Sequence, residues 1–242
     1  MQSQLQLFSS DRSEPWSVRV SSRARRLSVR VYPGGRVEVV VPQGASPVTV
    51  QRFVGTHRRW ILDRVGELST TDASSLSPPS ELTLPAIGRT VPVEYQSRGG
   101  GVPRVALDAR GTLRVAGDVS NQKLVTQALR EWLLSFAREM LGAELTHVAA
   151  ETGFTYRRMQ IRRQRTRWGS CSISGTISLN VCLLFLRPDI VRYLLIHELC
   201  HTRHMNHSAR YWALVATHEP NFRQLDRELL RGWRHVPAWM FG

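Results

Sequence analysis

The sequence predicts an α+β protein, with a β-rich first half carrying one covering helix and a mainly helical second half. Three observations predict it. Short apolar runs bounded by Gly and Pro crowd the chain before residue 118. Apolar residues at helical spacing take over from Ser120 onward. The 242 residues, 42% of them hydrophobic, are enough to bury one large or two small cores.

Taken in order, residues 1–20 read as a loose N-terminal segment and residues 21–118 as the β-rich region. Within the latter, residues 27–31 and 37–41 are strands of a hairpin that turns at Pro33-Gly34-Gly35. Val50, Phe53, Val54, Trp60, Ile61 and Val65 recur at helical spacing, so residues 46–67 form a helix able to cover one face of that hairpin. Residues 69–79, rich in Ser, Thr and Pro, form an exposed linker or long loop. Two further β segments follow at 90–95 and 105–115, with glycines between them and a turn at Ala109-Arg110-Gly111.

Residues 119–242 form the second region. From Ser120, a plausible N-cap, the rows Leu124, Ala128, Trp132, Phe136, Met140 and Val125, Leu129, Leu133, Leu141 make one long amphipathic helix that stops at Gly153. Residues 167–184 form a second hairpin turning at Ser174-Gly175. Pro188 opens a helix running to about residue 205, and two shorter helices at 208–217 and 221–233 are separated by Pro220.

Composition limits the setting. No apolar run reaches the roughly 20 residues needed to cross a bilayer, and the first 16 residues lack a secretory core, so a cytoplasmic protein is expected. Cys171, Cys182 and Cys200 cannot all pair and form no C-x-x-C, which fits a reducing compartment. The net charge is +14, and all but one of the basic residues are arginine. Arg157, Arg158, Arg162, Arg163, Arg165 and Arg167 lie within eleven residues without an intervening acid. That density can neutralise phosphates of a nucleic acid, or it can be a solvated face balanced by acids elsewhere.

The chemistry concentrates at His197-Glu198-Leu199-Cys200-His201, an H-E-x-x-H sequence. On a helix the two imidazoles lie on one face a turn apart, close enough to share a tetrahedral zinc, and Glu198 can take a proton from water that the metal activates. The apolar stretch before it, Tyr193 to Ile196, implies a buried helix, where unpartnered imidazole and carboxylate would be costly. A catalytic zinc needs a third protein ligand. His207 is brought back by a local turn; Glu219, on a later helix, would complete a different class of site. His204 would sit about 10.5 Å along the axis from His197, too far to share one ion if the helix continued. Cys200 points to another face and suits the core.

The chain resembles the YgjP-like metallopeptidases, which are related to the SprT-like zinc proteases. The resemblance rests on Arg167-Trp168-Gly169-Ser170-Cys171-Ser172, Leu179-Asn180, the H-E-x-x-H stretch, and Asn206-His207-Ser208 followed by Tyr211-Trp212. It extends to Arg25-Arg26-Leu27-Ser28-Val29-Arg30-Val31, Gly35-Arg36-Val37-Glu38-Val39 and Trp60-Ile61, so it spans nearly the whole chain. It implies a zincin-like catalytic domain over residues 119–242, zinc as cofactor, His197, His201 and His207 as ligands, and peptide or protein as substrate. Trp168 and Gly169 either contact substrate or pack the hairpin on the helix. Tyr211, His204 and Asn180 are candidates for steadying an oxyanion.

Two function classes follow. One is a zinc peptidase with Glu198 as general base. The other is a basic nucleic-acid-binding protein with a metal site, acting by analogy of class on DNA-associated proteins. A structural zinc usually has four protein ligands and has no use for an acid at Glu198, which favours the enzyme.

Overall fold

The computed structural model describes residues 16–32, 35–69 and 77–241. The expected turn at Pro33-Gly34 and most of the linker at 69–79 lie outside them. The chain divides into two compact units, residues 1–73 and 74–242.

In the first unit, β1 (Trp16–Ser21), β2 (Ser28–Val31) and β3 (Val37–Pro42) form a sheet ordered β1-β3-β2. The centre goes to β3 because Val37, Val39, Val40 and Val41 give it buried residues on both faces. It runs antiparallel to β2, as the hairpin predicted, and parallel to β1. Helix α1 (Pro47–Ser69) supplies Val50 and Val54, which form a core with Val39 and Val41. Residues 16–20, expected to be loose, belong to β1. Its Trp16, Val18 and Val20 do alternate with polar residues, but Val20 is 53% exposed and the strand is held at an edge by contacts no local pattern reveals. Ser17 Oγ donates to the Val37 carbonyl at 3.1 Å, and Arg19 pairs with Glu38 at 3.3 Å.

The second unit opens with β4 (Glu81–Leu84), β5 (Arg89–Ser97), β6 (Arg104–Leu107) and β7 (Leu113–Gly117), ordered β4-β5-β7-β6. Helix α2 (Gln122–Thr152) starts one residue later than Ser120 would set it: Asn121 Oδ1 is the cap and accepts from the Leu124 amide at 3.2 Å. Val125, Leu129, Leu133, Leu141, Leu145 and Val148 make a single buried stripe. Gly153 ends the helix at φ 69°, a left-handed conformation that suits glycine. The expected boundary at 118–119 falls inside this unit, because α2 packs on β6.

A second sheet, β8 (Arg158–Arg162), β9 (Gly169–Cys171) and β10 (Thr176–Asn180), is ordered β8-β10-β9. The last two strands are the expected hairpin, which ends at Asn180 and not at residue 184, because residues 181–185 coil into a short 3-10 turn. Helix α3 (Pro188–Cys200) packs against α2, β9, α4 (Ala209–His218) and α5 (Phe222–Arg231). Among the described residues no helix is long and apolar enough to cross a membrane.

Candidate metal centre

Helix α3 is the buried axis of the second unit: Tyr193, Leu195, Ile196, Leu199 and Cys200 are inaccessible. Its last turn carries His197 and Glu198, and His201 follows as its C-cap. The helix stops short of residue 205 because the chain tightens at once, with the Arg203 and His204 amides both donating to the Cys200 carbonyl. This turn returns His207 to the helix end. Its ring lies 5.2 Å from that of His197 and 4.7 Å from that of His201, and its Nε2 is 3.3 Å from His197 Nε2. Ser208 then caps α4, and the His207 ring stacks on Trp212, which stacks on Phe222.

One nitrogen from each of His197, His201 and His207 lies within 4.8 Å of the others. Burial, reinforced by the neighbouring imidazoles, lowers the His197 pKa to about 3, and burial also lowers that of His201. Both rings are therefore neutral near pH 7, with lone pairs to offer. Glu198 beside them is 3% exposed, and its Oε2 has no hydrogen-bond partner among the described residues. Burial pushes its pKa up to about 8, against the opposing pull of Arg167. Three imidazole nitrogens this close together, beside a buried carboxyl oxygen without a hydrogen-bond partner among the described residues, suit a cation: the donor set fits a metal ion.

Strand β9 lies against this carboxylate. A Cβ at Gly169 would come within 2.5 Å of Glu198 Oε1 and 3.0 Å of its Cδ and Cγ, so only glycine leaves room for Glu198 where it stands.

The remaining candidates are placed as follows. Glu219 stands apart from the histidines and accepts from the Asn221 amide at 3.1 Å. His204 contributes its carbonyl, 3.0 Å from His201 Nδ1. Tyr211 is fully buried, stacks on His201 and donates to the His197 carbonyl at 3.1 Å. Asn180 is 1% exposed; its Nδ2 donates to the carbonyls of Gln164 and Arg167, and its Oδ1 accepts from the Cys182 amide. Trp168 is buried and stacks on Trp233 at 4.0 Å. Cys200 is buried as expected, its thiol pushed up to about 12. Two neighbours of the site escaped the sequence reading. Tyr193, one turn before His197, was within reach of helical spacing; Asp226, on α5, was not.

An α+β fold in which a turn after the H-E-x-x-H helix gathers three imidazoles beside a buried carboxylate is the architecture of a metallopeptidase. The pattern of the YgjP-like metallopeptidase domain matches residues 25–231, and the chain belongs to that family. Among solved structures, the crystal structure of the metallopeptidase zymogen abylysin from Pyrococcus abyssi is similar at 25% identity over 37% of this chain and 91% of its own, with a TM-score of 0.35. A comparison with curated proteins gives no match.

Proposed function

We propose that this chain is a zinc-dependent peptidase in which His197, His201 and His207 hold the metal, Glu198 is the general base, and residues 119–242 form the catalytic region. The observation that carries the reading is the convergence of three imidazole nitrogens within 4.8 Å beside a buried carboxylate oxygen without a partner among the described residues. Zinc held by these three histidines would supply Lewis acidity towards a water and the scissile carbonyl. Glu198 accepts the proton of the attacking water and returns it to the leaving amine. Burial raises the basicity of its carboxylate, and Gly169 leaves it space beside β9. The three free thiols support a reducing, cytoplasmic setting.

The test is metal content together with turnover of an unstructured protein substrate. The parent should bind zinc and cleave, His207→Ala should bind zinc weakly, and Glu219→Ala should behave as the parent. Zinc lost from the Glu219 variant and kept in the His207 variant would transfer the third-ligand role.

A second activity, binding of nucleic acid, is favoured by one observation. Arg157, Arg158, Arg162, Arg163, Arg165 and Arg167 are all exposed, and among the described residues none pairs with a carboxylate. Arg162 donates to Gln160 and Arg165 to the Phe241 carbonyl, neither of which neutralises the charge.

A further inference from the structure

We infer that Tyr193 and Asp226 form an outer support that fixes the tautomer of His197, making Asp226 of α5 a positioning residue for a site on α3. The inference rests on the reading of His197 as a metal ligand.

Tyr193 is one helical turn before His197 and presents its ring to the imidazole at 5.9 Å. It is fully buried, and its hydroxyl donates to Asp226 Oδ1 at 2.8 Å. A phenol has one proton to give. With that proton committed to the carboxylate, Tyr193 faces His197 Nδ1, 3.4 Å away, with a lone pair only. Nδ1 must therefore carry the hydrogen, which leaves the lone pair on Nε2. That is the nitrogen turned towards His207 Nε2 at 3.3 Å.

His201 reaches the same state by a different route. Its Nδ1 is 3.0 Å from the His204 carbonyl, which can only accept, so its lone pair is again on Nε2. Two of the three imidazoles are thus preset in one tautomer, one by the backbone and one by a side-chain pair drawn from another helix. The carboxylate also makes the Tyr193 oxygen a stronger acceptor, which raises the basicity of the His197 ring; outer partners of metal-bound imidazoles act in this way. Unlike the carbonyl, this support can be removed by substitution.

The experiment uses the full chain with Tyr193→Phe, Asp226→Asn and Asp226→Ala. Zinc affinity is measured by competition with a chelator, and the ring-nitrogen NMR shifts of the metal-free proteins report the tautomer. Tyr193→Phe should weaken zinc binding by roughly 10- to 100-fold and release His197 from its Nδ1–H form while His201 keeps its own. Asp226→Ala should weaken it in the same direction, and Asp226→Asn, whose amide oxygen still accepts from Tyr193, should weaken it less. Unchanged affinity in Tyr193→Phe and Asp226→Ala overturns the inference, as does a loss of affinity with the His197 tautomer unaltered, which would be a packing effect. A parent that binds no zinc refutes the metal reading instead, and the metal-free spectra still decide the tautomer.

Discussion

At the scale of the residue, burial works against the charge of Glu198, which is 3% exposed and whose Oε2 has no hydrogen-bond partner among the described residues. Glu198→Gln keeps the shape and removes the proton acceptor. It should abolish turnover and leave zinc bound; turnover at the parent rate would exclude the general-base role. The metal-free protein should register the same burial through pH. A carboxyl whose pKa rises from 4.5 to about 8 on folding favours the fold while protonated; this contribution is complete below 4.5, declines as pH rises and is lost by about 8. His197 has the opposite sign: its pKa falls on folding, so its contribution is complete above its ordinary 6.5 and lost as pH drops towards about 3. Of these two groups, only Glu198 changes between pH 6.5 and 8. The thermal midpoint of the metal-free protein should therefore decline across that window, and Glu198→Gln should flatten the decline. His197, Glu198, His201 and His207 were legible because their spacing is local. Gly169 was legible only as a residue that contacts substrate or packs the hairpin on the helix; that Glu198 is its neighbour was not, since a glycine announces no side chain and the two lie on different elements.

At the scale of elements, β9 and α3 are in contact through the absence of a Cβ. Gly169→Ala should force Glu198 aside and cut turnover sharply while zinc binding and fold persist, as circular dichroism and metal content would check. Full activity in that variant would mean that β9 yields easily. The hairpin of β9 and β10, the long helix α2 and the helix α3 were readable because apolar period and turn residues agreed. Strand β8 was hidden by its own composition: Met159 and Ile161 do alternate, but Arg158 and Arg162 made the stretch look like a solvated charge run. Strand β1 was missed for a related reason, being an edge strand with one face wet. In both cases the sheet is completed by parallel pairing with a strand distant in sequence, β8 with β10 and β1 with β3, and such pairing leaves no turn signal between partners.

At the scale of the whole molecule, the +14 charge is carried almost entirely by arginine, and the run from Arg157 to Arg167, without a carboxylate partner among the described residues, begins on the edge strand β8 of the second sheet and continues towards β9. If this edge binds nucleic acid through phosphates, replacing Arg157, Arg158, Arg162 and Arg163 by Gln should lower affinity for duplex DNA and flatten its dependence on salt, each lost phosphate contact reducing the slope by about 0.9. A parent that fails to bind DNA at low salt would reduce the run to a solvated face. The division into two compact units was only partly visible in the sequence: the Ser-, Thr- and Pro-rich linker marked the break, but the β character of residues 81–117 drew that stretch towards the first half. It is α2 that claims it, through packing that composition does not express.

In the proposed enzyme, two histidines at the end of α3 and one in the turn after it hold a metal. Elemental analysis of the purified parent and of His207→Ala, side by side, tests it most directly. One zinc per parent chain, lost or weakened in the variant, is the predicted result. A parent without metal even after incubation with zinc, or a variant that keeps its zinc as firmly as the parent, would contradict the three-histidine site.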